Sequence, residues 1–353
     1  MRHLLNTLFV TSEDIYLSLD GENILANRNG ETVARYPLHT LSGIISFAYP
    51  GASPALMGAC AQRGISFAFC TPQGKFLARV SGEANGNVLL RRTQYRAADD
   101  PIQSCRIARS MVFGKTYNAR WSIERTRRDH GLRVDDARLG EVSGQLKALL
   151  PRLLAESSLE QLRGLEGVAA TAYFGVFDQL ILGDKSLFSF QGRSRRPPRD
   201  AVNALLSFSY SLLAHDCAAA LESVGLDSYV GFLHRDRPGR SSLALDLMEE
   251  LRPCLADRFV LTAINNRIFR TEDFIFHESG GVFLSDRARR TFLSRWQERK
   301  KSLSLTPFWE KNSRGGWFRI SRPCSWPAVF GEIWMRTLCS FGSEVCHAGA
   351  DHI

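Results

Sequence analysis

The hydrophobic period of this chain changes near residue 86, and that change divides what it can fold into. Between residue 7 and about residue 86, short apolar or alternating runs (15–19, 24–26, 32–36) are separated by the turn residues Asp20-Gly21-Glu22-Asn23 and Asn29-Gly30. Period-two runs broken by Asx-Gly pairs predict successive hairpins. One helix is expected over 53–63, followed by a strand at 65–70 and the Pro72-Gln73-Gly74 turn. Beyond Asn87 the period lengthens to that of helices, expected at 118–129, 141–155, 160–182, 200–224 and 243–259. The fold class is therefore α+β, with a small N-terminal β-rich domain over 1–90 and a larger all-α domain over 91–306. The join falls in the polar stretch 86–100.

Residues 201–214 are almost continuously apolar but too short to cross a bilayer, so they are expected to form the central buried helix of the second domain. The longest uncharged run, between Arg35 and Arg63, is broken by Pro37, Pro50, Gly51 and Pro54 and cannot be one spanning helix. The first 20 residues show no apolar core followed by a small-residue cleavage site, so no membrane or secretory role is expected and the location is read as cytoplasmic. Eight cysteines, at 60, 70, 105, 217, 254, 324, 339 and 346, have no CxxC and no repeated spacing. Free, mostly buried thiols fit a reducing compartment, and neither zinc nor thiol redox chemistry is indicated.

The net charge of +9 points to an acidic partner, and its distribution says more than its sum. Residues 106–133 carry eight basic and two acidic side chains, 185–199 five and none, and 287–302 seven and one, so the rest of the chain is net acidic. Grouped arginines of this kind suit phosphate neutralisation, and solvated helix faces are the plain alternative for any one block.

Three places carry candidate chemistry. Glu166 lies in Gly164-Leu165-Glu166-Gly167 and reads as opening an apolar helix, where a lone carboxylate ordinarily complements the helix dipole. His234 closes the apolar segment Gly231-Phe232-Leu233 before Arg235, Arg237 and Arg240, and a lone histidine there is more often a satisfied core residue than a ligand. Asp246 and Glu249 sit three apart, on one helix face close to the stripe of Leu245 and Met248, where like charges are costly unless a cation joins them. The alternative is a solvated acidic stripe that Glu250 extends. Pro238-Gly239 and Ser241-Ser242 set a turn and helix start that aim this helix back toward His234. One imidazole with carboxylates suits Mg²⁺ or Mn²⁺. Beside arginines, such an ion serves phosphodiester chemistry. The residues by themselves point to a metal-dependent phosphoryl-transfer enzyme acting on nucleic acid.

Four ordered segments, 166–174, 200–208, 225–240 and 243–253, together resemble the CRISPR-associated adaptation integrase, the universal spacer-acquisition endonuclease of antiviral defence, in wording closest to the subtype I-C branch. The resemblance runs from about residue 3 to about 306. It implies Glu166, His234 and Glu249 as metal ligands, with Asp246 as the supporting acid and Asn203 and Tyr210 facing the same pocket. It implies insertion of captured DNA into a repeat array by attack of a 3′-hydroxyl on a phosphodiester, with no nucleotide cofactor. It also implies a homodimer, formed through the N-terminal domain, that joins a small ferredoxin-like partner in a heterohexamer. Arg193, Arg195, Arg196, Arg199, Arg235, Arg237 and Arg240 are the expected DNA-phosphate contacts. Hydrolysis of branched DNA by the same residues, and a catalytically inert DNA-binding scaffold, are the alternative functions.

The likeness stops near residue 305. Four of the chain's six tryptophans and three of its eight cysteines fall after that point, whereas relatives end in another helix and a short Asp-Leu-Asp-Ala-Tyr-Pro stretch. Back-translating Ile333-Trp334-Met335-Arg336 and shifting by two nucleotides yields Leu-Asp-Ala. Residues 307–353 are thus read as an atypical tail translated out of frame, with an ordinary divergent tail as the competing account.

Overall fold

The computed structural model describes residues 6–82, 88–303, 307–311 and 317–323. Among them, residues before 86 and those from Asp286 onward form one compact unit, and residues 88–285 the other. The first is β-rich and the second mostly helical, as the change of period predicts.

In the first unit β2 (Tyr16–Asp20), β3 (Asn23–Arg28) and β4 (Glu31–Pro37) form the expected antiparallel meander. Asn29 and Gly30 both take positive φ, 51° and 86°, the backbone that a tight hairpin turn requires. The second sheet departs from a run of hairpins. β1 (Thr7–Val10) and β5 (Gly43–Ser46) pair in parallel, as do β5 and β6 (Ser66–Cys70), and only β7 (Phe76–Val80) returns antiparallel. Between β5 and β6 runs α1 (Pro54–Gln62), the crossover helix that parallel strands need. Ser53 caps it by accepting from the Leu56 amide, and Pro54 fills a first-turn position whose missing N–H costs nothing. Leu17, Ile24, Leu38, Ile44, Leu56 and Phe67 are fully buried between these elements.

The second unit begins with α2 (Val88–Asp99) and α3 (Pro101–His130), which meet at Asp100, the cap of α3, whose side chain accepts from the Ile102 and Gln103 amides. At 30 residues α3 spans ~45 Å and packs against α4 (Asp136–Ala155), α5 (Leu159–Gly175) and α7 (Ser242–Leu251). The expected helix at 118–129 is only the last part of α3, because Arg106, Arg109 and Lys115 interrupt the apolar pattern upstream. α6 (Ala201–Ser223) is the buried central helix; it is long and apolar enough to cross a membrane, but most of its apolar window is buried inside the protein. α7 continues through a wider π turn (Arg252–Asp257) into α8 (Arg258–Asn265), and a short hairpin, β8 (Phe274–Phe276) with β9 (Val282–Leu284), completes the unit.

α9 (Asp286–Leu303) lies within the 91–306 span read as the helical domain, yet it groups with the first unit. Arg289 reaches back to the Pro72 carbonyl and pairs with Asp286, and the Gln297 amide meets the Thr7 carbonyl. In the atypical tail, β10 (Pro307–Lys311) and β11 (Trp317–Pro323) pair as an antiparallel hairpin. Residues 333–336, on which the out-of-frame reading rests, lie outside the described residues, as do Cys324, Cys339 and Cys346.

Candidate active site

The loop carrying His234 is pinned by three helices. From α2, the buried Gln94 side chain donates to the carbonyls of Asp227 and Val230 and accepts from the Asp227 amide. From α5, Arg163 Nε donates to the Leu233 carbonyl at 2.8 Å. From α7, Asp246, with no exposed surface, takes the amides of Phe232 and Leu233 on Oδ2 at 2.6 and 2.9 Å and that of His234 on Oδ1 at 3.0 Å. The fit at this loop depends on Gly231, because a Cβ there would lie 2.8 Å from Asp246 Oδ2 and from Ser242 Cβ.

Asp246 Oδ1 also lies 2.5 Å from His234 Nδ1. A carboxylate at that nitrogen fixes the tautomer with the proton on Nδ1, which leaves the Nε2 lone pair facing away from Asp246. His234 therefore is not a core histidine satisfied at both nitrogens. Asp246 and Glu249 do share one face, and it is buried rather than solvated, so the acidic-stripe alternative fails.

Glu249 is 4% exposed and held by two cations. Arg252 Nη1 meets Oε1 at 3.0 Å, and Lys115 Nζ pairs with Oε2 at 2.7 Å. Burial pushes the Glu249 carboxyl up, but Arg252, Lys115 and His234 outweigh it and hold the group below the ordinary glutamate range. Lys115 also contacts Glu166 Oε1 at short range, so one ammonium from α3 joins carboxylates from α5 and α7.

Glu166 does not open its helix. α5 begins at Leu159, capped by Ser158 Oγ, and continues unbroken through Gly164 and Gly167. With Glu166 mid-helix, complementing a helix N-terminus no longer accounts for it.

Asn203 is fully buried and spends its amide on the loop before α6. It accepts from Arg193 and the Ser194 amide and donates to the Gly192 carbonyl and Asp200 Oδ2. Tyr210 donates its hydroxyl to the buried Asp257, and its ring lies between the guanidinium groups of Arg193 (5.1 Å) and Arg252 (4.7 Å). Tyr210 therefore stands one residue behind Glu249, through Arg252. Burial raises Asp257 to about 6, against the opposing pull of Tyr210, Arg252 and Arg193.

The arginines expected on DNA divide. Arg195, Arg196, Arg199, Arg235 and Arg237 are exposed, Arg240 is half-buried, and Arg193 is occupied with Asn203 and Tyr210. Much of the basic block over 106–133 is paired within its own unit: Arg109 meets the Leu154 carbonyl, Arg127 pairs with Asp136 and Glu124, and Arg133 meets the Leu182 carbonyl.

Lys115, Arg252 and Asp257 join the site without having been among the candidates named from the sequence. Arg252 had a signal, the i,i+3 spacing from Glu249, whereas Lys115 had only its place as the one lysine in a block of arginines. Among the described residues no three His, Cys, Asp or Glu side chains stand together as a ready-made cation cluster. The carboxylates of Glu166 and Glu249 are instead bridged by an ammonium. The donor set nevertheless suits a hard divalent ion: two carboxylates that already share one cation, Lys115, and an imidazole with a fixed tautomer.

Residues 8–298 match the family model described as CRISPR associated protein Cas1. The chain is 49% identical over 317 residues to CRISPR-associated endonuclease Cas1 2 of Rhodospirillum rubrum, covering 89% of this chain and 91% of that one. It is 47% identical over 308 residues to CRISPR-associated endonuclease Cas1 1 of Chlorobaculum tepidum, covering 87% and 90%. Among solved structures it is similar in fold to a Cas1 protein from Thermotoga maritima, with a TM-score of 0.76, 20% identity, and 96% and 97% of the two chains covered. With its sequence matched over both units and its fold shared, the chain belongs to the Cas1 family.

Proposed function

We propose that this chain is a metal-dependent DNA integrase and endonuclease of CRISPR adaptation, which joins a 3′-hydroxyl of captured DNA to a phosphodiester at a repeat boundary. Family membership and relatives named as endonucleases support the general activity. What supports the chemistry is that Lys115 joins Glu166 on α5 to Glu249 on α7, while Asp246, one turn before Glu249 on the same helix face, orients His234.

In this reading Glu166, His234 and Glu249 hold Mg²⁺ or Mn²⁺, with no nucleotide cofactor. When bound, the ion polarises the phosphodiester and stabilises the charge that develops on its oxygens. Each protein group has a separate task. Asp246 keeps the His234 proton on Nδ1, so that Nε2 is available to accept. Arg252 fixes Glu249 through Oε1 and leaves Oε2 to Lys115. Tyr210 and Asp257 hold the Arg252 guanidinium in place from behind. Arg195, Arg196 and Arg199, with Arg235, Arg237 and Arg240, position the DNA through its phosphates, a contact without base preference.

The proposed assembly is a homodimer through the N-terminal β-rich domain, joined to the small ferredoxin-like partner in a heterohexamer. Half-site integration into a supercoiled, repeat-bearing plasmid, with and without that partner, tests the reading. A covalently joined product that depends on Mn²⁺ and disappears in Glu166→Ala supports it. Cleavage of branched DNA without joining would move the assignment to hydrolysis, and a folded protein that binds DNA but does neither would make it a scaffold.

A further inference from the structure

Lys115 occupies an unusual position for a structural lysine. Its side chain is 13% exposed, and its ammonium touches two carboxylates from different helices, Glu166 on α5 and Glu249 on α7. α3 comes close to α7 at this level because residue 114 is glycine: a Cβ there would lie 2.6 Å from Glu250 Cγ. That close approach starts the Lys115 stem beside the α7 carboxylates. Without a cation between them, two facing carboxylates, one nearly buried, repel.

We propose that Lys115 is a resident counter-ion of the active site. It holds Glu166 and Glu249 together in the metal-free protein and is displaced from them when a divalent cation binds. The inference rests on the metal reading of Glu166, His234 and Glu249 given above. Three features distinguish a displaceable counter-ion from a fixed structural pair. The ammonium is shared between two carboxylates on different helices, so neither contact commits it to a single partner. Arg252 separately retains Oε1, so Glu249 keeps a positioned guanidinium when the ammonium leaves. A lysine is also suited to leaving, being a compact charge on a flexible four-carbon stem without the fixed fork of arginine. An ammonium and a divalent cation cannot share the same pair of oxygens, so binding one requires withdrawal of the other.

The test compares the full-length wild type with Lys115→Met and Lys115→Gln. Mn²⁺ affinity is read from the free-ion EPR signal, and melting temperature is read in EDTA and in saturating Mn²⁺. Both variants are expected to bind Mn²⁺ at least tenfold more tightly than the wild type, because no resident cation has to be displaced. Both are expected to melt below the wild type in EDTA and to recover in Mn²⁺. Recovery of folded variant only when Mn²⁺ is supplied supports the inference equally. Unchanged or weaker Mn²⁺ binding in the variants overturns it, as does a melting deficit of the same size with and without the ion, or failure of both variants to fold even with Mn²⁺. If the wild type and variants all bind no Mn²⁺, the metal reading of the site itself falls, and this inference with it.

Discussion

Replacing Asp246 with alanine separates the scaffold of the site from its ligands. The carboxylate is fully buried and accepts the amides of Phe232, Leu233 and His234 as well as His234 Nδ1. Alanine strands three backbone donors in a loop whose residues 232 and 233 are themselves buried. Each unsatisfied buried donor costs about 1–3 kcal/mol, offset in part by removal of a buried charge, so a net loss of about 4 kcal/mol is expected. For a unit of this size that lowers the melting temperature by about 8–16 °C. Asp246→Asn, which keeps one acceptor oxygen, should lose roughly half as much. Thermal unfolding of the full chain in EDTA, followed by far-UV circular dichroism, measures this loss without any contribution from bound metal. A drop within about 2 °C of wild type, or one that Mn²⁺ fully restores, would refute the claim that Asp246 works by holding the His234 loop.

Gly231→Ala should damage the same loop from the other side: its Cβ would meet Asp246 Oδ2 and Ser242, and urea unfolding should show a loss of about 1–3 kcal/mol. Asp257 is pushed up to about 6 by burial, so between the pKa of the unfolded chain and about 6 the folded protein binds the extra proton. That contribution to stability is present at low pH and is lost as pH rises toward 6. From pH 4.5 to 7, wild type should therefore lose about 2 kcal/mol more than Asp257→Asn in parallel unfolding curves. Replacing both Arg195 and Arg196 with alanine should weaken DNA binding evenly across sequences and reduce the slope of log affinity against log salt by about 2, and an unchanged slope removes these residues from the phosphate contacts.

Much of the fold was legible where local chemistry dictates local geometry. Asn29-Gly30 specifies a tight hairpin whatever surrounds it, and the apolar run at 201–214 has nowhere to go but the interior. The parallel pairing of β1, β5 and β6 was not legible, because four- and five-residue apolar strands do not name their partners. α9 shows how a basic stretch misleads: Arg289 and Lys300 are buried, and Arg289 binds the Pro72 carbonyl instead of facing a phosphate. In the site, the spacing of Asp246 and Glu249 predicted one shared face, and the Pro238-Gly239 turn predicted that this face returns to His234. Lys115 was invisible for the opposite reason. It stands more than 50 residues before Glu166 in sequence, and nothing local to it announces two carboxylates on other helices.

The basic excess noted in the sequence is also reapportioned. Arg127 and Arg133 spend their charge on helix ends and acids of the same unit, while Arg195, Arg196 and Arg199 remain exposed before α6. Lys115 and Arg252 have a third use, balancing Glu249 at the centre of the site.

The central claim is that Glu166, His234 and Glu249 together carry metal-dependent strand transfer. The most direct test is single-turnover joining of a 3′-hydroxyl DNA end to a repeat-bearing plasmid as Mn²⁺ is titrated, with wild type and each of the three alanine variants confirmed as folded. No joining is expected in EDTA, joining should saturate with Mn²⁺ in wild type, and the rate should fall by about a hundredfold or more in every variant. Joining that persists in EDTA, or in His234→Ala at the wild-type rate, would contradict the claim.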